Sequence, residues 1–169
     1  MFNIGDYVVY GSTGVCKITD ITTEKALGGS PLEYYVMSPI FTKSTVVKTP
    51  VNIIKVKIRP TITDDEAKNL LGSVSEIEPY WDDNYRTRNE TFRQAAHSCD
   101  CGRWLWLIKS IKVKAEELAK INKKIRQTDE LFLDNTEKLL CGELAVVLGK
   151  EYDEIKELLE EKISSAVTA

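Results

Sequence analysis

Asp6-Tyr7-Val8-Val9-Tyr10-Gly11-Ser12-Thr13-Gly14-Val15-Cys16-Lys17-Ile18-Thr19-Asp20-Ile21-Thr22 is the stretch that decides the fold. Its first five residues are rich in β-formers and run into Gly11-Ser12-Thr13-Gly14, a turn signal. From Val15 to Thr22 apolar and polar residues alternate, as in a strand with one buried face. The pattern continues outward. Residues 26–31, Ala-Leu-Gly-Gly-Ser-Pro, read as a hairpin loop, Glu33–Met37 as a third strand and Ser44–Lys48 as a fourth. Pro50–Ile54 reads as a short turn before a last strand, Lys55–Ile58. Five short strands within residues 1–60 cannot bury both faces as an open sheet, so a small, strongly bent barrel is predicted.

From Thr63 the period becomes helical. Thr63-Asp64-Asp65-Glu66 is a capping-box signature opening a short helix that should stop near Gly72. Residues 73–80 read as a linker. Asp82-Asp83 places acids at a helix start, which suits the helix dipole, and this helix should run to about Ala96. Asp100 is placed to cap a long third helix whose apolar positions are Trp104, Leu107, Ile108, Ile111, Ala115, Leu118, Ile121 and Ile125. Thr128 is placed to cap a fourth, with Leu131, Leu139, Leu140, Leu144 and Val147 inward and Gly149 as its C-cap. Glu151–Ile163 is the fifth. The fold class predicted is therefore α+β: a five-stranded barrel over 1–60, then about five helices over 61–169.

The 169 residues suffice for one medium domain or two small ones, with 43% hydrophobic and 29% charged residues. No apolar run approaches the roughly 20 residues that span a bilayer. The start, Met1-Phe2-Asn3-Ile4-Gly5-Asp6, lacks the regions of a signal peptide, so a cytoplasmic location is expected. The net charge of −3 argues against bulk nucleic-acid binding, but its distribution is uneven. Seven Lys/Arg face four Asp/Glu in residues 1–60, and one faces seven in 61–85. Eleven face four in 86–126, and four face eleven in 127–169. The basic block either faces DNA or pairs with the acidic block that follows.

Cys16, Cys99, Cys101 and Cys141 are expected as free thiols in a reducing compartment. His97-Ser98-Cys99-Asp100-Cys101 offers half a metal site at most, because closed zinc sites use paired C-x₂₋₄-C units. No metal and no other cofactor is expected. A single His leaves little room for a nucleophile-base pair. Phosphate-loop, dinucleotide, zinc-protease and nucleophile-elbow motifs are absent. Gly28-Gly29-Ser30 leads into Pro31 and a strand, a poor phosphate cradle. No enzyme activity and no small-molecule substrate is expected.

Trp81 stands out. It lies in Glu78-Pro79-Tyr80-Trp81-Asp82-Asp83-Asn84-Tyr85-Arg86, between the strand-rich and helical parts. A tryptophan face stacks well on a base, and nearby arginines hold a phosphate backbone. The competing reading makes Trp81 an interdomain packing residue. Trp104 and Trp106 lie on the long apolar helix and read as core.

The segments Phe2-Asn3-Ile4-Gly5-Asp6-Tyr7-Val8-Val9-Tyr10, Gly14, Glu33-Tyr34-Tyr35-Val36, Val47-Lys48-Thr49-Pro50 and Asn52 resemble the CarD family of bacterial transcription factors. Its N-terminal domain is shared with transcription-repair coupling factor. Trp81, Tyr85-Arg86 and Leu140-Cys141-Gly142-Glu143-Leu144 extend the resemblance into the helical part. The resemblance implies a Tudor-like barrel over 1–60 that binds the RNA polymerase β subunit, with Val46, Val47, Lys48, Thr49 and Pro50 on the polymerase-facing strand. It implies that residues 61–169 reach promoter DNA at the upstream fork, with Trp81 as a wedge at the edge of the transcription bubble. Arg86 corresponds to a basic residue on the DNA backbone, and Tyr85, Arg88 and Arg93 complete the expected DNA-binding set. Arg86, Arg88 and Arg93, two and five residues apart, are expected to share a helix face toward phosphates, positioning without reading sequence. The implied protein is a non-enzymatic regulator that stabilises the open promoter complex, nucleoid-associated through RNA polymerase, with no membrane partner.

This chain departs from the family in places. Gly11-Ser12-Thr13-Gly14 replaces a Pro- and His-rich segment, and Thr23-Glu24-Lys25 stands where some members have a polymerase-facing arginine. Asp82-Asp83 replaces more basic residues after the tryptophan, and Cys99–Trp104 matches nothing in the pattern. Two rival readings stand beside this one. One is a polymerase-binding module with no direct DNA role. The other is a small barrel for a different protein, with a helical bundle for oligomerisation.

Overall fold

The computed structural model describes residues 1–25, 27–52 and 55–168. The chain divides into two compact units, Met1–Thr61 and Ile62–Ala169. The α+β expectation holds: the first unit is an antiparallel sheet, and among the described residues the second contains five α-helices. Ala26, in the expected hairpin loop, and Ile53 and Ile54, in the expected turn, lie outside the described residues.

The strands are β1 Tyr7–Tyr10, β2 Gly14–Lys25, β3 Pro31–Pro39, β4 Val47–Pro50 and β5 Ile58–Pro60. Their order is β4-β3-β2-β1-β5. The closed barrel predicted from sequence is not what pairs here: β4 and β5 are the two edges, with no ladder between them among the described residues. Two strands also shift. The fourth begins at Val47, not Ser44, because Ser44 adopts a left-handed φ of 61° that no strand accommodates. The fifth begins at Ile58, not Lys55.

Gly11 sits in a 3-10 turn between β1 and β2 with φ of 46°, and its N–H donates to the Lys57 carbonyl at 2.8 Å. A Cβ there would meet Val56 Cγ1, so the Gly11–Gly14 turn also admits the chain entering β5. β2 and β3 pair with Ile18 opposite Met37 and Asp20 opposite Val36, leaving Thr19 as a bulge. The extra residue lets both Ile18 and Ile21 turn toward the core despite their odd spacing. That core is Val8, Cys16, Ile18, Tyr35 and Met37, with Phe2, Tyr10, Val47, Val51 and Ile58 packed against it.

In the second unit α1 covers Asp64–Gly72 and opens with the predicted capping box: Thr63 accepts the Glu66 N–H, and Glu66 accepts the Thr63 N–H at 2.7 Å. Then come α2 Tyr85–Ala96, α3 Cys101–Ala119, α4 Gln127–Leu148 and α5 Tyr152–Thr168. Asp100 caps α3 as expected, and Gly149 ends α4 in the left-handed conformation. Four boundaries differ, one being the end of α5, which runs on from the expected Ile163 to Thr168. α2 starts at Tyr85 with Asn84 as its cap, and Asp82-Asp83 precede it. α3 ends at Ala119, before Ile121 and Ile125. Asn122 turns left-handed with φ of 57°, and Lys123 N–H reaches back to the Leu118 carbonyl at 2.9 Å, a Schellman closure. Ile121 is therefore 59% exposed. α4 starts at Gln127, so Thr128 lies inside its first turn, and Leu131 is 54% exposed where an inward position was expected.

Trp104, Phe92, Leu107, Ile108, Ile111, Leu140, Leu144, Ile155 and Ile163 are fully buried in this unit. Glu143 on α4 is buried too. It accepts the Ile62 N–H at 2.9 Å and faces Cys101 Sγ at 3.0 Å, fastening the start of the unit and the start of α3 to α4.

Candidate nucleic-acid interface

The segment between α1 and α2 has little regular structure, yet α3 straps it down. Lys109 is buried, and its ammonium donates to the carbonyls of Val74 at 2.7 Å and Ile77 at 2.6 Å. The Tyr80 N–H donates to Ser110 Oγ at 3.0 Å. The Tyr80 ring packs 5.6 Å from Trp106 and 6.1 Å from Phe92. Trp81 thus enters from a fixed predecessor.

Trp81 is part-exposed and packs against the Phe92, Ala95, Leu107 and Ile111 cluster of the helical unit. Its ring meets the Phe92 ring edge-on at 6.1 Å. The Arg88 guanidinium lies 4.1 Å from its centroid and the Lys114 ammonium 5.8 Å. Arg88 is only 4% exposed. Its Nε and Nη2 donate to the two oxygens of Asp129 at 3.1 and 3.0 Å, and its Nη1 donates to the Asp82 carbonyl at 2.6 Å. Arg88 is therefore not available to phosphates as the sequence reading expected. The reason is angular. At about 100° per residue, Arg88 lies about 200° around α2 from Arg86, whereas Arg93 returns to within about 20° of it. Arg88 shares the inward face with Phe92 and Ala95; Arg86 and Arg93 face solvent.

Tyr85 is 45% exposed, and the Arg126 guanidinium sits 4.6 Å from its ring centroid. Arg126 was not singled out from the sequence. It occupies the cap position of α4, where Ser, Thr, Asp or Asn is favoured and a cation opposes the dipole. The sequence carries no signal of this, because the start of α4 reads there as capped by Thr128. Through Tyr85 and Arg126 the start of α2 meets the α3–α4 turn, which carries exposed Lys120, Lys123 and Lys124. Arg93 pairs with Glu90 at 3.2 Å, both side chains in solvent.

Part of the basic block pairs with the acidic block that follows it. Arg88 pairs with Asp129, Lys112 pairs with Glu137 at 2.7 Å and with Glu160 at 3.5 Å, and Lys109 serves backbone carbonyls. Arg86, Lys120, Lys123, Lys124 and Arg126 remain at the surface.

On the sheet, the expected polymerase-facing residues split by the two-residue period of an edge strand. Val46 is exposed, and Lys48 faces solvent with an ion pair to Glu24 at 2.5 Å. Val47 packs against the core, Thr49 is buried and Pro50 is part-exposed, so within this set Val46 and Lys48 are the residues whose side chains stand out in solvent. Glu24 belongs to the Thr23-Glu24-Lys25 departure noted above.

All four cysteines are buried, and none is in a disulfide. Burial pushes the Cys16 thiol up to about 11, and burial reinforced by Glu137 pushes Cys141 up to about 12. Among the described residues no group of three or more His, Cys, Asp or Glu side chains is arranged to hold a metal ion. No helix among them is long and apolar enough to cross a membrane.

Residues 2–62 match the family described as the CarD-like/TRCF RID domain. This match coincides with the strand-rich segments that carried the resemblance and covers the first unit. No curated protein matches the chain.

Proposed function

We propose, from a CarD-like/TRCF RID domain as the first unit, that this protein is a non-enzymatic transcription regulator that binds RNA polymerase through its β subunit and stabilises the open promoter complex. In this reading the first unit is a Tudor-like module whose bent sheet offers the β4 edge to the partner, where main-chain pairing supplies affinity and Val46 and Lys48 supply side-chain contacts. The second unit carries Trp81 to the upstream fork of the bubble. The observation that carries the reading is a part-exposed tryptophan held in a preset position, beside exposed Tyr85, Arg86 and Arg126, in a chain whose first unit is of this family.

Stacking on an unpaired base is worth roughly 1–3 kcal/mol, up to about a hundredfold in the closed-to-open equilibrium. Arg86, Arg126 and the turn lysines would hold phosphates and position the wedge without reading sequence. With a net charge of −3, and with Arg88, Lys109 and Lys112 engaged within the protein, free DNA should be bound weakly, so recruitment by polymerase precedes the DNA contact. The location that follows is cytoplasmic, on the nucleoid through polymerase.

The experiment is the half-life of an open complex formed by RNA polymerase on a promoter fragment, challenged with competitor, with and without the full chain. Lengthening supports the proposal. An unchanged half-life with protein bound to polymerase favours the second reading, in which Trp81 packs only against Phe92 and the protein has no direct DNA role.

A further inference from the structure

We infer that the buried Arg88–Asp129 pair is a positioning device for Trp81, setting the angle at which the indole is presented to DNA. The inference rests on the reading of Trp81 given above and deepens it. One guanidinium makes three contacts at once. Its fork closes on both Asp129 oxygens, its remaining terminal nitrogen holds the Asp82 carbonyl, and its face lies against the indole of Trp81. Side chain 81 and the carbonyl of the next residue, Asp82, are thus gripped by the same planar group. The preceding residue is held separately, by Tyr80 N–H on Ser110 Oγ. Trp81 is fixed on either side in sequence, while part of its ring stays in solvent.

Arg88 and Asp129 are 5% and 3% exposed at their side chains. A buried ion pair is a poor way to gain stability, because desolvation offsets much of the attraction. A leucine or methionine at position 88 would join α2 to α4 at less cost. What an apolar residue cannot supply is direction: a fixed fork on α4 that aims a flat surface at one ring and a donor at one carbonyl. A wedge at a fork junction needs that direction, since a ring free to rotate spends stacking energy on being ordered.

The test uses the full chain with RNA polymerase and a promoter fragment. Trp81→Ala, Arg88→Lys and the double variant Arg88→Met/Asp129→Leu are compared for melting temperature, polymerase binding and open-complex half-life across a salt series. The double variant replaces the ion pair with apolar groups of similar size and should melt at or above the parent temperature. It should bind polymerase as the parent does and shorten the half-life at least threefold. Arg88→Lys keeps the charge opposite Asp129 but loses the planar fork, and should show the same loss. Neither variant should change the dependence on salt, because this guanidinium does not touch phosphate. Parent-like half-lives in folded Arg88→Lys, with a shortened half-life in Trp81→Ala, overturn the positioning role and leave the proposed function standing. A shallower salt dependence in Arg88→Lys also overturns it. If the double variant does not fold, Arg88→Lys decides alone. A parent-like half-life in Trp81→Ala removes the function reading, and this inference with it.

Discussion

Replacing Trp81 with alanine separates a DNA role from a packing role because the two predict losses of different size in different assays. The ring is part-exposed, so its removal does not cost the roughly 3–5 kcal/mol of a fully buried tryptophan. Three folded-state contacts disappear: the edge-on contact with Phe92 at 6.1 Å, the cation contact with Arg88 at 4.1 Å and the longer one with Lys114 at 5.8 Å. An aromatic pair contributes about 0.5–1.5 kcal/mol and a cation on a ring about 0.5–2 kcal/mol. The stability loss should therefore be about 1–3 kcal/mol, on the order of 5–15 °C in melting temperature for a unit of this size. At growth temperature the protein stays folded and binds polymerase. The open complex loses its stacking contact, roughly 1–3 kcal/mol, which shortens its half-life about five- to a hundredfold. Melting and half-life are measured on the same preparation. A loss near 5 kcal/mol, with the folded fraction supporting a parent half-life, would refute the reasoning and make Trp81 structural.

Arg86→Ala should shorten the half-life most at low salt and lower the slope of log affinity against log salt by about one, read from the same promoter complex across a salt series. Lys109→Met removes two charge-assisted bonds and strands the carbonyls of Val74 and Ile77; urea unfolding should show a loss of about 2–4 kcal/mol, and no loss would mean the segment before Trp81 is not held by α3. Alkali should destabilise the protein with a defined sign. Cys16 and Cys141 rise from an ordinary 9.0 to about 11 and about 12, so the folded state keeps protons that the unfolded chain releases. That stability is fully present below pH 9.0 and is lost as pH climbs through each folded value, at roughly 1.4 kcal/mol per pH unit and thiol. Tyr152, raised to about 12 chiefly by burial, acts in the same direction, and Cys141→Ala should flatten the alkaline limb of a melting-temperature profile.

The strands were legible where alternation met a turn signal, as in Tyr7–Tyr10 and the start of β2. The limits of β4 were not, because Ser44 turns left-handed and no pattern in Ser44–Lys48 announces it. Closure was not legible either: a count of short strands does not say which edges pair, and β4 and β5 remain edges. Helix caps read well where the side chain itself makes the bond, at Thr63 and Asp100. They failed at Asp82-Asp83, because Asn84 takes the capping bonds to Arg86 and Thr87 instead. Within the candidate site, Trp81, Tyr85, Arg86 and Arg93 reach solvent. Arg88 was misread because composition marks an arginine as exposed, and only its partner 41 residues away, Asp129, makes burial affordable. Arg126 was overlooked for the complementary reason: its contact with Tyr85 joins two helices and leaves no local pattern.

The most direct measurement is whether RNA polymerase copurifies with the tagged full chain from the organism's own cells, with the subunit contacted identified by cross-linking. The account predicts polymerase at near-equal molar amount, cross-linked through its β subunit to residues at the β4 edge, with Lys48→Glu weakening capture. Efficient recovery of the folded chain without polymerase, or a cross-link confined to a different partner, would contradict it.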